Sequence, residues 1–139
     1  MGVNPSVIVI DDDLDIREVY SEFLRLKSID VLAIGNNGKD AVELYQKYRP
    51  DVVLMDLYMP DFDGFYGLEN IYKINPNAKV VIHTDSNEQD QTNRLIEMGV
   101  FAIIEKPHGI TDFVEMLHKL SLGDSLQEPP LQSRIMRYN

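Results

Sequence analysis

Short apolar runs alternate with stretches of helical periodicity along nearly the whole chain, and this alternation limits the fold more than any other feature. Residues 6–11, 30–34, 51–56, 79–84 and 100–104 are rich in Val and Ile and read as strands. Between them, apolar residues recur at helical spacing: Ile16, Val19, Tyr20, Phe23 and Leu24; Ala41, Leu44, Tyr45 and Tyr48; Phe65, Leu68, Ile71 and Tyr72; Leu95, Ile96 and Met98. A fifth helix carries Phe113, Leu117 and Leu120, with Thr111 expected as its cap. Turn signals separate the units: GNNG at 35–38, Pro50, Asn75-Pro76-Asn77, and Gly99 as a helix-ending residue.

Five βα units follow. The strand runs look continuously apolar, so helices should cover both faces of a parallel sheet. The 139 residues suit one domain with its own core. Residues 1–121 are expected to form it, with 122–139 as a C-terminal tail or the start of a linker, since Pro129-Pro130 opposes helix there.

Composition excludes several classes. Without cysteine there is neither a disulfide framework nor thiolate chemistry. No apolar run is long enough to cross a bilayer, and no secretory leader is recognisable, which gives the expectation of a cytoplasmic protein with no membrane partner. The formal charge of −10 argues against direct nucleic-acid binding and suits cations or a basic partner. Arg134 and Arg137 are too sparse for a nucleic-acid arm. The start MGVNPS fits a myristoylation pattern at Gly2, but no polybasic second signal accompanies it.

In an open α/β sheet, ligands gather beyond the carboxyl ends of the strands. Here those ends carry Asp11, Asp12 and Asp13 after strand 1, Asp56 at strand 3, Thr84 at strand 4 and Lys106-Pro107 after strand 5. Adjacent carboxylates repel one another, yet around a divalent cation they are favourable. Magnesium takes a few carboxylates, keeps waters and accepts phosphate oxygens. With an ammonium opposite, such a set suits phosphoryl transfer, and a carboxylate can be the nucleophile.

These motifs resemble those of a response-regulator receiver domain of two-component signalling. The likeness covers about residues 6–121. It rests on VIDDD at 9–13, VVLMDLYMPDFDG at 52–64, HT at 83–84 and EKP at 105–107, in that order and spacing. It implies a flavodoxin-like, doubly wound (βα)5 fold with strand order 2-1-3-4-5. It also implies that Asp56 is the phosphoacceptor and that Asp12 is a direct Mg2+ ligand, with Asp11 assisting through water. Tyr58 would add its backbone carbonyl, Thr84 would bond a phosphoryl oxygen and Lys106 would pair with the phosphate. Asp13 and Asp15 fall to the first turn of helix 1. The implied partners are a sensor histidine kinase and a downstream effector or output domain. The signalling face would be helix 4, strand 5 and helix 5, and a homodimer would form through the same face. The protein would be a regulator that catalyses only its own phosphorylation and dephosphorylation.

Three positions depart from the family pattern. Asp85 stands where a small residue is usual, Ile103 where an aromatic often acts as a switch, and Tyr58 is bulky at a position that controls water access. Rival readings fare worse. An EF-hand through Asp11, Asp13, Asp15 and Glu22 has Ile16 where the loop needs glycine. A haloacid-dehalogenase-like phosphatase would use Asp11 or Asp13, but the hydroxyl or Val expected four residues on is missing and little chain remains for a cap. A pseudo-receiver, never phosphorylated, would be expected to lose acids that this chain keeps. GNNGK at 35–39 lacks the form of a phosphate loop. His83, His108 and His118 share no metal spacing, and Tyr45, Tyr48 and Tyr72 read as packing.

Overall fold

The computed structural model describes residues 4–84, 89–105, 109–121 and 135–136. Six strands and five helices alternate: β1 (Ser6–Ile10), α1 (Leu14–Leu26), β2 (Asp30–Gly35), α2 (Gly38–Tyr48), β3 (Val52–Asp56), α3 (Gly64–Ile74), β4 (Val80–Thr84), α4 (Gln89–Glu97), β5 (Ala102–Glu105), α5 (Gly109–Ser121) and β6 (Ile135–Met136). The first five strands are parallel in the order 2-1-3-4-5, a flavodoxin-like α/β arrangement. The sixth lies outside β5, also parallel, pairing Ile103 with Ile135 and Ile104 with Met136. The sequence reading placed residues 135 and 136 in a C-terminal tail or the start of a linker, with no strand assigned there. A two-residue strand beyond a proline pair carries no periodicity by which to recognise it.

Alternate side chains along each strand meet opposite helix layers. Ile8, Ile10, Val53, Met55, Val80 and Ile82 pack with Ala41 and Tyr45 of α2, Leu68 and Ile71 of α3 and Leu95 of α4. Val7, Val9, Leu54, Val81 and Ile104 pack with Tyr20 and Leu24 of α1 and with Phe113 and Leu117 of α5. Most of these residues are fully buried, and each such aliphatic or aromatic side chain contributes roughly 1.5–3 kcal/mol of transfer free energy.

The expectation of strands covered on both faces fails at β2, where exposed and half-buried positions alternate up to a buried Gly35 and Leu32 and Ile34 are exposed. β2 ends the sheet, and its register against β1 slips between Val7 and Ile8, so that Leu32 is passed over. Thr111 is likewise not a cap but lies inside α5, two residues after its first. Gly99 has φ +88° and donates its N–H to the Ile96 carbonyl, closing α4 as expected. Tyr45 is buried and Tyr72 half-buried, while Tyr48 is exposed.

Candidate functional site

The site grows from the carboxyl ends of β1, β3 and β4. Asp11 follows β1 and is wholly buried. Its main-chain N–H donates to the Gly35 carbonyl at 3.1 Å, which ties the end of β1 to the end of β2. Its Oδ1 accepts the Asp13 N–H at 2.9 Å. Asp13 in turn is the N-cap of α1, accepting from the N–H groups of Asp15 and Ile16, and Asp15 sits in the first turn. That answers why so many acids follow one strand: Asp13 and Asp15 belong to the helix start, as expected, which leaves Asp11 and Asp12 to face the sheet end. Arg17, one turn into α1, reaches back to the Asp11 carbonyl at 2.9 Å and to the Asn36 side chain.

Asp56 ends β3 and is 7% exposed. Its Oδ1 accepts the N–H of Leu57 at 2.8 Å. The following loop folds back tightly. The Gly64 N–H donates to the Leu57 carbonyl, and a Cβ at Gly64 would stand 2.6 Å from the Asp56 carbonyl, so only glycine fits there. Within the loop Asp61 holds a left-handed backbone at φ +70°, and the Phe62 N–H closes a three-residue turn on the Pro60 carbonyl. Asp63 then caps α3 by accepting from the Tyr66 N–H.

These devices bring the carboxylates of Asp11, Asp12 and Asp56 together, with a ligand oxygen of each within 4.8 Å of the others. Asp11 and Asp56 are buried and Asp12 is exposed. Three hard oxygen donors this close, two of them out of water, repel unless a cation joins them, and that donor set fits an oxygen-loving divalent ion. Thr84, 4% exposed, ends β4 beside Asp56 through the Asp56–His83 register. Tyr58 lies in the β3–α3 loop with its ring 47% exposed. Ile103 is buried in the layer of α2, α3 and α4, away from the acids' layer. Lys106, Pro107, His108, Asp85, Gly2, Pro129, Pro130, Arg134 and Arg137 lie outside the described residues.

A sequence profile described as the response regulator receiver domain matches residues 7–118. The chain belongs to the response-regulator receiver family. Response regulator protein VraR of Staphylococcus saprophyticus is 37% identical over 123 residues, 88% of this chain and 59% of that protein. Chemotaxis protein CheY of Thermotoga maritima is 32% identical over 115 residues, 83% of this chain and 96% of that one. This receiver domain thus spans about three-fifths of the VraR relatives and nearly the whole of that CheY. Among solved structures, a DNA-binding response regulator of the LuxR family from Staphylococcus aureus superposes with a TM-score of 0.77 at 30% identity, covering 84% of this chain and 98% of that one. A response regulator receiver domain from Francisella gives 0.78 at 26% identity, covering 88% and 100%.

Sequence reasoning missed one residue of the receiver's acidic corner. His83 is fully buried, and its Nε2 lies 3.7 Å from Asp11 Oδ2. Searching for histidines at shared metal spacings passed over it. The usable signal was strand alternation, because Val81 and His83 share the face on which β1 and β3 present Asp11 and Asp56. Among the described residues, no helix is long and apolar enough to cross a membrane.

Proposed function

We propose that the receiver is a phosphorylation switch in a two-component phosphorelay, with Asp56 as the phosphoacceptor. The convergence of Asp11, Asp12 and Asp56 at the carboxyl end of the sheet carries this reading. A carboxylate oxygen of Asp56 attacks the phosphorus of a phosphohistidine on a sensor histidine kinase. A P–O bond forms, the P–N bond to the imidazole breaks, and the departing ring nitrogen keeps the electron pair and takes a proton. Asp11, Asp12, Asp56 and the backbone carbonyl of Tyr58 would hold Mg2+. When bound, the ion supplies positive charge against the oxygens of the phosphoryl group. Thr84 donates its hydroxyl to a phosphoryl oxygen, and Lys106 supplies the opposing ammonium.

Phosphate at Asp56 then biases two conformations of the domain, and the face of α4, β5 and α5 passes the change to an effector, an output domain or a second copy. With Ile103 buried in the α2–α4 layer, that coupling runs through aliphatic packing rather than through a rotating aromatic ring. The reading places the receiver in the cytoplasm, as a regulatory domain over residues 1–121 whose own chemistry is limited to gaining and losing phosphate.

Incubation with Mg2+ and acetyl phosphate tests it. Intact-mass measurement should show one added phosphoryl group, lost in Asp56→Asn and retained in Asp13→Asn. Labelling that persists in Asp56→Asn but disappears in Asp11→Asn would point to the phosphatase reading, and no labelling at all to a pseudo-receiver. Asp85, the residue after Thr84, should repel small anionic donors, so Asp85→Ala should accelerate labelling by acetyl phosphate severalfold.

A further inference from the structure

We propose that His83 is a positioning residue for the cation site, its imidazole holding the Asp11 carboxylate in the orientation that faces Asp12 and Asp56. The inference rests on the proposed metal-dependent phosphoacceptor and adds to it a residue that its ligand set does not contain.

β4 reads Val-Val-Ile-His-Thr, and every residue of it is buried. For filling space alone, a further aliphatic residue would serve at position 83 at lower cost, because an imidazole taken out of water loses hydration unless a polar group faces it. The facing group is the Asp11 carboxylate. Both side chains are fully buried, with Nε2 and Oδ2 3.7 Å apart. That is longer than a hydrogen bond, but at this depth it is short enough for an N–H dipole to orient an anion.

The rest of the geometry leaves Asp11 little freedom. Its other oxygen is engaged by the Asp13 N–H at 2.9 Å, at the start of α1. The Tyr20 ring, from the next turn and a half of the same helix, lies against His83 with centroids 5.4 Å apart and planes tilted by 54°. His83 is also the β4 partner of Asp56 in the sheet register, so one residue touches the environment of both buried acids. The Asp11 carboxylate is thus gripped on Oδ1 by the main chain and flanked on Oδ2 by the ring. Groups that hold a metal-ligating carboxylate commonly change metal affinity ten- to a hundredfold when removed.

Isothermal titration of the full chain with Mg2+ tests this, comparing wild type, His83→Leu and His83→Gln, with circular dichroism confirming the fold. The leucine variant should bind Mg2+ about tenfold more weakly. The glutamine variant, which keeps an N–H donor at similar reach, should recover most of that loss. Unchanged affinity in folded His83→Leu overturns the proposal, and so does an equal loss in both variants, which would make the ring a matter of volume alone. Should His83→Leu fail to fold, the wild-type protein decides. In ring-nitrogen NMR spectra the His83 signals should move as Mg2+ is added and saturate with binding, and signals that stay put overturn the proposal. If the wild-type chain takes up no Mg2+ at all, the metal-dependent reading of Asp56 fails and this one with it. Binding that is indifferent to residue 83 removes only the role of the histidine.

Discussion

The two faces of the central sheet are built from the same strands and finish differently. Toward α2, α3 and α4 the rows are apolar through Ile10, Met55, Ile82 and Ile103, and only the last residues of β4 and β5 on that side, Thr84 and Glu105, are polar. Toward α1 and α5 the rows begin with Val7, Val52 and Val81 and end in Asp11, Asp56 and His83. One face is therefore packing up to a single hydroxyl at the end of β4, while the other divides into an apolar floor and a rim of buried acids and a histidine. The rim gathers buried like charges without gain to stability, as expected where a site is maintained against the preference of the fold.

Substitutions can separate the two roles. The largest effect should come from the apolar floor. Phe113→Ala, at a fully buried position, should cost about 3–5 kcal/mol in denaturant titration. Next comes the opposite side of the sheet, where α2 and α3 approach closely. A Cβ at Gly38 would stand 2.2 Å from the Asp63 carbonyl, so Gly38→Ala should cost about 1–3 kcal/mol and leave Mg2+ affinity nearly unchanged. The rim should respond to the ion instead. Mg2+ at ten times its dissociation constant should stabilise the wild-type receiver by about 1.4 kcal/mol, and chelation should reverse this. In metal-free buffer, Asp56→Asn should be no less stable than wild type, and Mg2+ should stabilise it less. A melting temperature that falls in Asp56→Asn without metal would break the contrast between floor and rim. The smallest change is local: Asn37→Ala removes the N-cap that accepts from the Asp40 N–H and should cost about 1 kcal/mol without altering phosphorylation.

Much of this was legible in the sequence because its signals are local. The βα alternation located each of the first five strands and all five helices to within a few residues, and the acids at the ends of strands 1 and 3 identified the corner that the fold assembles. Asp13 and Asp15 were assigned to α1 because acids at a helix start satisfy main-chain N–H groups. What escaped depends on neighbours. Whether Leu32 and Ile34 are covered depends on β2 being at the margin of the sheet, which apolar content does not encode. Capping by Asn37 and Asp63 was readable from their place just before a glycine and a helical pattern, but Asn37 was absorbed into the GNNG turn signal and Asp63 into the motif at 52–64. His83 looked like an isolated histidine because its partner, Asp11, is distant in sequence and meets it only once β1, β3 and β4 are aligned.

Because Ile135–Met136 runs beside β5, part of the main chain on that flank is already matched from within the same polypeptide. An extended peptide arriving there would first have to evict two residues, whereas along β2 it would meet no resident strand among the described residues. Shortening the chain after residue 121 would bare that flank, so its reach for visiting peptides is set by a stretch well outside the five βα units.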